Sequence, residues 1–190
     1  MDLIVADLTQ DGHPDVVTSA PSLGQVILFE STGEPHEPLR KSVFPAGVEV
    51  EFLACGDVDG DGSQDICALS YLDEKLVVLL GGGAQPFSRR LEIEMPYFDV
   101  SPLQRLGRVQ PMVCRDLDRN PPDEIYLLQL QEGWFNALVR IEIDPTTLDS
   151  RSQRFALDGL APQDLQALDF VDIGQGRDTE LVLITQRNPP

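Results

Sequence analysis

The sequence is short of cysteine, histidine and positive charge, and each shortage closes off a class of function. Three cysteines in 190 residues are an odd count and no dense framework, so they leave the redox compartment open. His13 and His36, the two histidines, fall in turns without a cysteine or serine partner pattern and read as solvated loop side chains, not catalytic bases. Lys and Arg number 14 against 32 Asp and Glu, a net charge of -18. Phosphate recognition needs clustered cations, and the pairs Arg40-Lys41 and Arg89-Arg90 are isolated, so nucleic acid and anionic membrane are excluded as expected partners and each pair reads as a solvated strand edge. No segment is long and apolar enough to cross a bilayer. Helical periodicity is thin; the one candidate, Pro162 to Asp169, falls where a strand is expected. There is no Ser/His/Asp set, no close carboxylate pair outside the acidic loops described next, and no cofactor fingerprint. The triple glycine Gly81-Gly82-Gly83 lacks the lysine and helix start of a phosphate cradle and reads as a hairpin turn.

Acid is abundant, and it is patterned. In Asp57-Val58-Asp59-Gly60-Asp61-Gly62-Ser63-Gln64-Asp65, four carboxylates fall at the first, third, fifth and ninth positions of one loop between apolar runs. Carboxylates that close repel by roughly 4 kcal/mol per pair at an effective dielectric near 20. A hard divalent cation with oxygen ligands removes that repulsion, and calcium is the expected ion. The acids at positions one, three and five point inward and glycine at six permits the positive φ that keeps the chain turning. The seventh residue offers its carbonyl and the acid at nine closes the shell. An EF-hand would wait for a glutamate at position twelve between helices; here Ile66 follows at once and opens a strand.

The pattern recurs. The first loop offers Asp7, Thr9, Asp11, His13 and Asp15; the second Asp57, Asp59, Asp61, Ser63 and Asp65; the third Asp116, Asp118, Asn120, Pro122 and Glu124. A worn fourth copy keeps Asp172 and Glu180, with Gly174 and Gly176 at two ligand positions. Loop starts at 7, 57, 116 and 172 lie 50, 59 and 56 residues apart, a period of blades, solenoid turns or arrays. Each unit reads as four short strands with the loop between the first two. In the second unit they are Glu51 to Cys55, Ile66 to Leu72, Lys75 to Leu80 and Arg89 to Met95. Four antiparallel strands per unit describe a propeller blade. The expected fold is therefore all-β: about three and a half four-stranded blades (1-46, 47-98, 107-160 and an incomplete 161-190), part of a six- or seven-bladed ring.

A D-x-[DN]-x-D-G-x-x-D loop followed by an aliphatic residue resembles the FG-GAP or VCBS repeat family, the blades of integrin alpha-subunit propellers and many bacterial surface proteins. The second repeat matches it fully and the first departs only at Thr9. The third has Asn120, Pro121 and Glu124 at altered positions. The resemblance covers nearly the whole chain and implies a calcium-binding propeller that works as a binding or scaffolding module, secreted or at the cell surface, with a protein or glycan ligand. Some polysaccharide lyases place an active site on such a propeller, so a carbohydrate-active enzyme or lectin is the alternative. Tyr97, Phe98, Arg105 and Arg108, in the insert Pro96 to Val109, are the residues to which it points.

Cys55 and Cys114 each precede a loop's first acid by two residues, and Cys67 follows the second loop's last acid by two, as Val17 follows the first. These are apolar columns, where a free thiol acts as a small hydrophobe; a cross-strand Cys55 to Cys67 disulfide is the other reading. Trp134 is expected to pack. Asp2 already belongs to the first strand, which leaves no room ahead of it for a signal peptide. Either the chain is intracellular or these residues are a piece of a longer precursor; with the unfinished fourth blade, the expectation is the second, a longer chain supplying the remaining blades.

Overall fold

The computed structural model describes residues 1–34, 36, 39–83, 86–95, 111–117, 120–131, 134–160, 165–171 and 180–185, with the side chains of 130–136 and of 158 onward left aside. It is nearly all β. Three four-stranded antiparallel meanders follow one another along the chain: β1 (Leu3–Ala6), β2 (Asp15–Ala20), β3 (Gln25–Glu30) and β4 (Arg40–Pro45); β5 (Phe52–Gly56), β6 (Asp65–Ser70), β7 (Lys75–Leu80) and β8 (Arg89–Glu94); β9 (Met112–Arg115), β10 (Glu124–Gln131), β11 (Trp134–Ile143) and β12 (Ser150–Leu160). A two-stranded sheet of β13 (Leu165–Val171) and β14 (Glu180–Thr185) completes the described fold. Among the described residues the single helical element is the 3-10 turn Pro21–Leu23, closed by Gly24 at φ 60. These sheets are propeller blades in form.

The repeat extends to the register of individual residues. Val5 pairs with Val16 and Val16 with Phe29; Cys55 pairs with Ile66 and Ile66 with Leu79; Cys114 pairs with Ile125 and Ile125 with Ile141. Because a strand turns successive side chains to opposite faces, fixing one triplet fixes both faces of each sheet. Ile66, Ala68, Val77, Leu79 and Leu53 of the second sheet join Val17, Val26 and Leu28 of the first in one core cluster. Cys67, Leu69, Leu76, Val78 and Leu80, the alternate positions, join Met112, Cys114, Ile125 and Leu127 of the third in another. The second sheet is thus covered on both sides, and this is why β6 is buried at every residue. Such a strand reads as a continuous apolar run instead of an alternating one.

Tyr71 marks the closeness of that packing. It is wholly buried, stands edge-on to Phe52 at 5.7 Å, and its hydroxyl donates to the Leu128 carbonyl of the next sheet at 3.0 Å. A buried phenol without that acceptor would cost about 1–3 kcal/mol. The outer strands β4 and β8 carry the paired cations at exposed positions, Arg40 and Lys41 on one and Arg89 and Arg90 on the other. Charged outer strands of this kind oppose edge-to-edge pairing. On β8 the charges meet: Arg90 lies 2.9 Å from Glu92, and Lys75 of β7 lies 3.2 Å from Glu92 and 3.4 Å from Glu94. Among the described residues no helix is long and apolar enough to cross a membrane. The insert 96–109 and the fourth acidic loop, 172–179, lie outside the described residues.

Candidate metal centre

The acidic loops leave the first strand of each sheet and return as the second, so β1 and β2, β5 and β6, and β9 and β10 hold their two ends side by side, at the roughly 4.5–5.5 Å typical of antiparallel pairs. Within loop two the chain coils tightly enough to need a left-handed backbone twice, at Gly60 with φ 75 and Gly62 with φ 89. Loop one repeats this at Gln10, φ 57, and Gly12, φ 86. A Cβ on Gly12 or Gly62 would meet nothing within 4 Å, so the demand is for the backbone angle, not for room. Loop three has Pro121 at the sixth position, whose ring fixes a negative φ; it therefore takes another path.

Loop two brings Asp57, Asp59 and Asp61 together, with one carboxylate oxygen from each lying within 4.8 Å of the others. Asp57 Oδ2 accepts the Gly62 N–H at 3.0 Å, whereas Asp57 Oδ1 is buried and has no hydrogen-bond partner. An orphaned carboxylate oxygen is expensive, by about 1–3 kcal/mol or more for a charged group. Burial raises the Asp57 and Asp59 carboxyls above the usual range against the pull of nearby backbone N–H groups, and Asp61 beside them adds repulsion. Three converging carboxylates, one of which also carries a buried oxygen without a partner, fit an oxygen-ligated divalent cation: Asp57, Asp59 and Asp61 would hold it and its charge would remove their repulsion. Among the described residues no other trio of Asp, Glu, His or Cys converges this closely.

Asp65, the ninth position, is not one of that converging trio, though it neighbours Asp59. Fully buried, it receives the Val58 N–H on Oδ2 at 2.9 Å and the Gly81 N–H on Oδ1 at 2.7 Å. Burial pushes its carboxyl up to about 7 despite those donors. Asp15 accepts an equivalent set of backbone N–H groups in loop one: Oδ2 takes the Leu8 and Thr9 N–H groups at 3.0 and 3.1 Å and Oδ1 the Ser31 N–H at 2.9 Å. Glu124 takes the Leu117 N–H at 3.0 Å, but its other oxygen meets the Arg140 guanidinium at 2.5 Å. In all three sheets, then, the ninth acid ties the loop's second residue down. In the first two it also holds the residue just beyond the third strand.

The remaining residues divide in the same way. In loop one, Asp7 uses both oxygens locally, accepting from Asp11 N at 3.1 Å and Gly12 N at 3.0 Å. The Thr9 hydroxyl turns onto Asp15 at 3.2 Å. The N–H groups of His13 and Ser63 donate to Asp11 and Asp61 at 2.8 and 2.7 Å, so the seventh residue tightens its loop identically in both sheets. In loop three Asp116 Oδ1 is buried without a partner, as Asp57 Oδ1 is. Pro122 and Asn120 line a small cleft with Glu124, Arg140 and Asp144. Asp118 lies outside the described residues.

Sequence reasoning missed three supports of this site. Asp123 reaches back across the sheet boundary: its Oδ2 accepts the Asp57 N–H at 3.0 Å and its own N–H donates to the Asp57 carbonyl at 2.8 Å. Gln10, by way of its left-handed backbone, donates Nε2 to the Gly62 carbonyl and so joins loops one and two. The triple glycine, read only as a turn, is the wall of the site, since a Cβ on Gly82 would fall 1.7 Å from Asp61 Oδ2. The glycine run was visible in the sequence, but its closeness to a loop twenty residues earlier was not.

Compared with known proteins, residues 7–68 match the family described as FG-GAP-like repeat. No curated protein matches the chain, and no solved structure does.

Proposed function

We propose, from the premise that this chain carries an FG-GAP-like repeat over residues 7–68, that it is a calcium-binding repeat propeller acting as a binding or scaffolding module for a protein or glycan ligand. The observation that carries the metal is the partnerless, buried Asp57 Oδ1 beside Asp59 and Asp61. Calcium suits the site better than magnesium because an all-protein carboxylate loop supplies many oxygens with little geometric constraint, whereas magnesium keeps its waters. The ion's work is structural. It ties the second sheet's loop into the chain of contacts that runs from Gln10 through Gly62 and Asp57 to Asp123, so neighbouring blades present their loops as one surface. On this reading the units run 1-46, 47-98, 107-160 and 161-190, further blades complete the ring, and the setting is secreted or cell-surface.

Thermal unfolding of the chain in calcium, in magnesium and in chelator tests it. Free calcium at about ten times the dissociation constant stabilises by roughly 1.4 kcal/mol per site, so the calcium curve should lie several degrees above the chelator curve, with magnesium between and nearer the latter. Superimposable curves in calcium and chelator would overturn the assignment.

A further inference from the structure

The three cysteines do not sit where an intrasheet pairing needs them. Cys55 pairs in register with Ile66, and Cys67 is the next residue along β6. Successive residues face opposite ways, so Cys67 joins the cluster between the second and third sheets while Cys55 packs against the cluster between the first and second. A Cys55 to Cys67 bridge would have to pass through the sheet. Cys114 of β9 faces Cys67 instead, across the boundary between sheets: the Cys114 thiol donates to Cys67 Sγ at 3.6 Å, both are buried, and 47 residues of chain separate them.

We propose that Cys67 and Cys114 are a redox-active pair whose disulfide staples the second blade to the third. The sulfurs are already in van der Waals contact, and a bond of about 2.05 Å asks for a further approach of roughly 1.5 Å, shared between two side chains. Register supports the pairing. Cys67 stands where Val17 stands in the first sheet, and Cys114 where Cys55 stands in the second. The contact is therefore one position of a register that the preceding boundary shares: Cys67 on Cys114 here, and there Val17 in the cluster against which Cys55 packs. Of the pair, Cys67 is fully enclosed and Cys114 is 8% exposed, so Cys114 is the thiol that meets an oxidant first.

The step balances with a low-molecular-weight disulfide, such as oxidised glutathione, as the two-electron acceptor. Cys114 loses its proton and attacks one sulfur of the reagent, releasing one reduced thiol and leaving a mixed disulfide on Cys114. Cys67 then loses its proton, attacks the Cys114 sulfur and expels the second reduced thiol. Two protein thiols become one disulfide and the reagent becomes two thiols. The staple stands independently of the metal loops.

The test uses the whole chain in calcium, equilibrated with oxidised glutathione, alkylated, and mapped by mass spectrometry without reduction. The expected result is a single alkylated cysteine, Cys55, with the peptides of Cys67 and Cys114 joined, and a melting temperature higher by on the order of 5 °C than in reductant. Cys55→Ser should keep both the link and the shift. Cys67→Val, which installs the residue native to that column, should fold and lose both. Val17→Cys should create a second link, to Cys55. Three alkylated cysteines after oxidation, or a bridge involving Cys55 in the unmutated chain, would overturn the proposal.

Discussion

Two aspartates of the second loop have the same chemistry and opposite jobs. Asp65 has its oxygens on the Val58 and Gly81 N–H groups, so Asp65→Ala strands two buried donors and should cost about 3 kcal/mol even in chelator. Asp61 sits in the convergent trio and receives the Ser63 N–H at 2.7 Å. An asparagine keeps that acceptor, so Asp61→Asn should leave the chelator melt nearly unchanged while removing much of the calcium shift. Paired melts of the two variants separate the roles; equal losses in chelator would refute the division. Protonation follows from the same burial. The folded Asp65 carboxyl is pushed up to about 7 from an unfolded value of 3.8, and Asp57 and Asp59 are raised too. Between those values the folded metal-free chain binds more protons than the unfolded one, so its stability rises as pH falls from about 7 towards about 4. Melts in chelator across that window should show the rise, and Asp65→Asn should flatten much of it. In saturating calcium the trend should reverse, because protons then compete with the ion.

At the scale of the element, the loops differ in what already neutralises them. Loop two has three converging acids and, among the described residues, no cationic side chain in hydrogen-bond contact with them, the Arg89 charge acting on Asp59 from further off; loop one has Thr9 turned away onto Asp15, and Asp7 engaged by two N–H groups. In loop three the Arg140 guanidinium lies 2.5 Å from Glu124 and from Glu142. Calorimetric titration should therefore give the tightest calcium event to loop two, the next to loop one and the weakest to loop three. Asp61→Asn removing only the weakest event would sink the order. A local backbone effect can be predicted beside it: Gly62→Ala, at φ 89 and with free space around the new methyl, should cost about 1–2 kcal/mol through the left-handed backbone alone. Much of this was legible beforehand. Acidic spacing and apolar alternation point to strands and loops in order because both are local, and the period of the loops announces repetition. Contacts between units are another matter. That Asp123 grips Asp57, that Gly82 backs Asp61 and that Cys67 meets Cys114 depends on how far one sheet is rotated onto the next, which no spacing within a unit records. The ninth acid shows the same limit: a carboxylate at the end of a loop can close a metal shell or cap backbone donors, and the Gly81 and Ser31 N–H groups that reach Asp65 and Asp15 from the far end of the third strand have no signature in the loop's own spacing.

At the scale of the whole molecule, one sheet face stands out. In the second sheet Leu53, Ile66 and Val77 are fully buried because the first sheet covers them. Their register equivalents in the first sheet are Leu3, Val16 and Ile27. These are less covered: Leu3 is 52% exposed, Val16 and Ile27 are half-buried, and nearby Val5 is 60% exposed and, on β4 opposite Ile27, Val43 44%. Exposed aliphatic side chains on one sheet face can serve as a contact surface, and the chemistry that would fit them is the aliphatic face of another such sheet, as the first sheet packs on the second within the molecule. Opposing contact is a net charge of -18, which sets copies of the chain repelling one another. Each bound calcium cancels two of those charges without touching the apolar face. Self-association should therefore grow with protein concentration, with added salt and with calcium. Sedimentation velocity checks this, together with the double variant Leu3→Lys and Val5→Lys, whose positions are exposed and should tolerate the change with little loss in melting temperature. The variant should remain monomeric where the unmutated chain associates, even though its added cations reduce the net repulsion. If it associates as readily, contact runs through another surface; if the unmutated chain stays monomeric at every concentration in calcium, the face is not adhesive between copies.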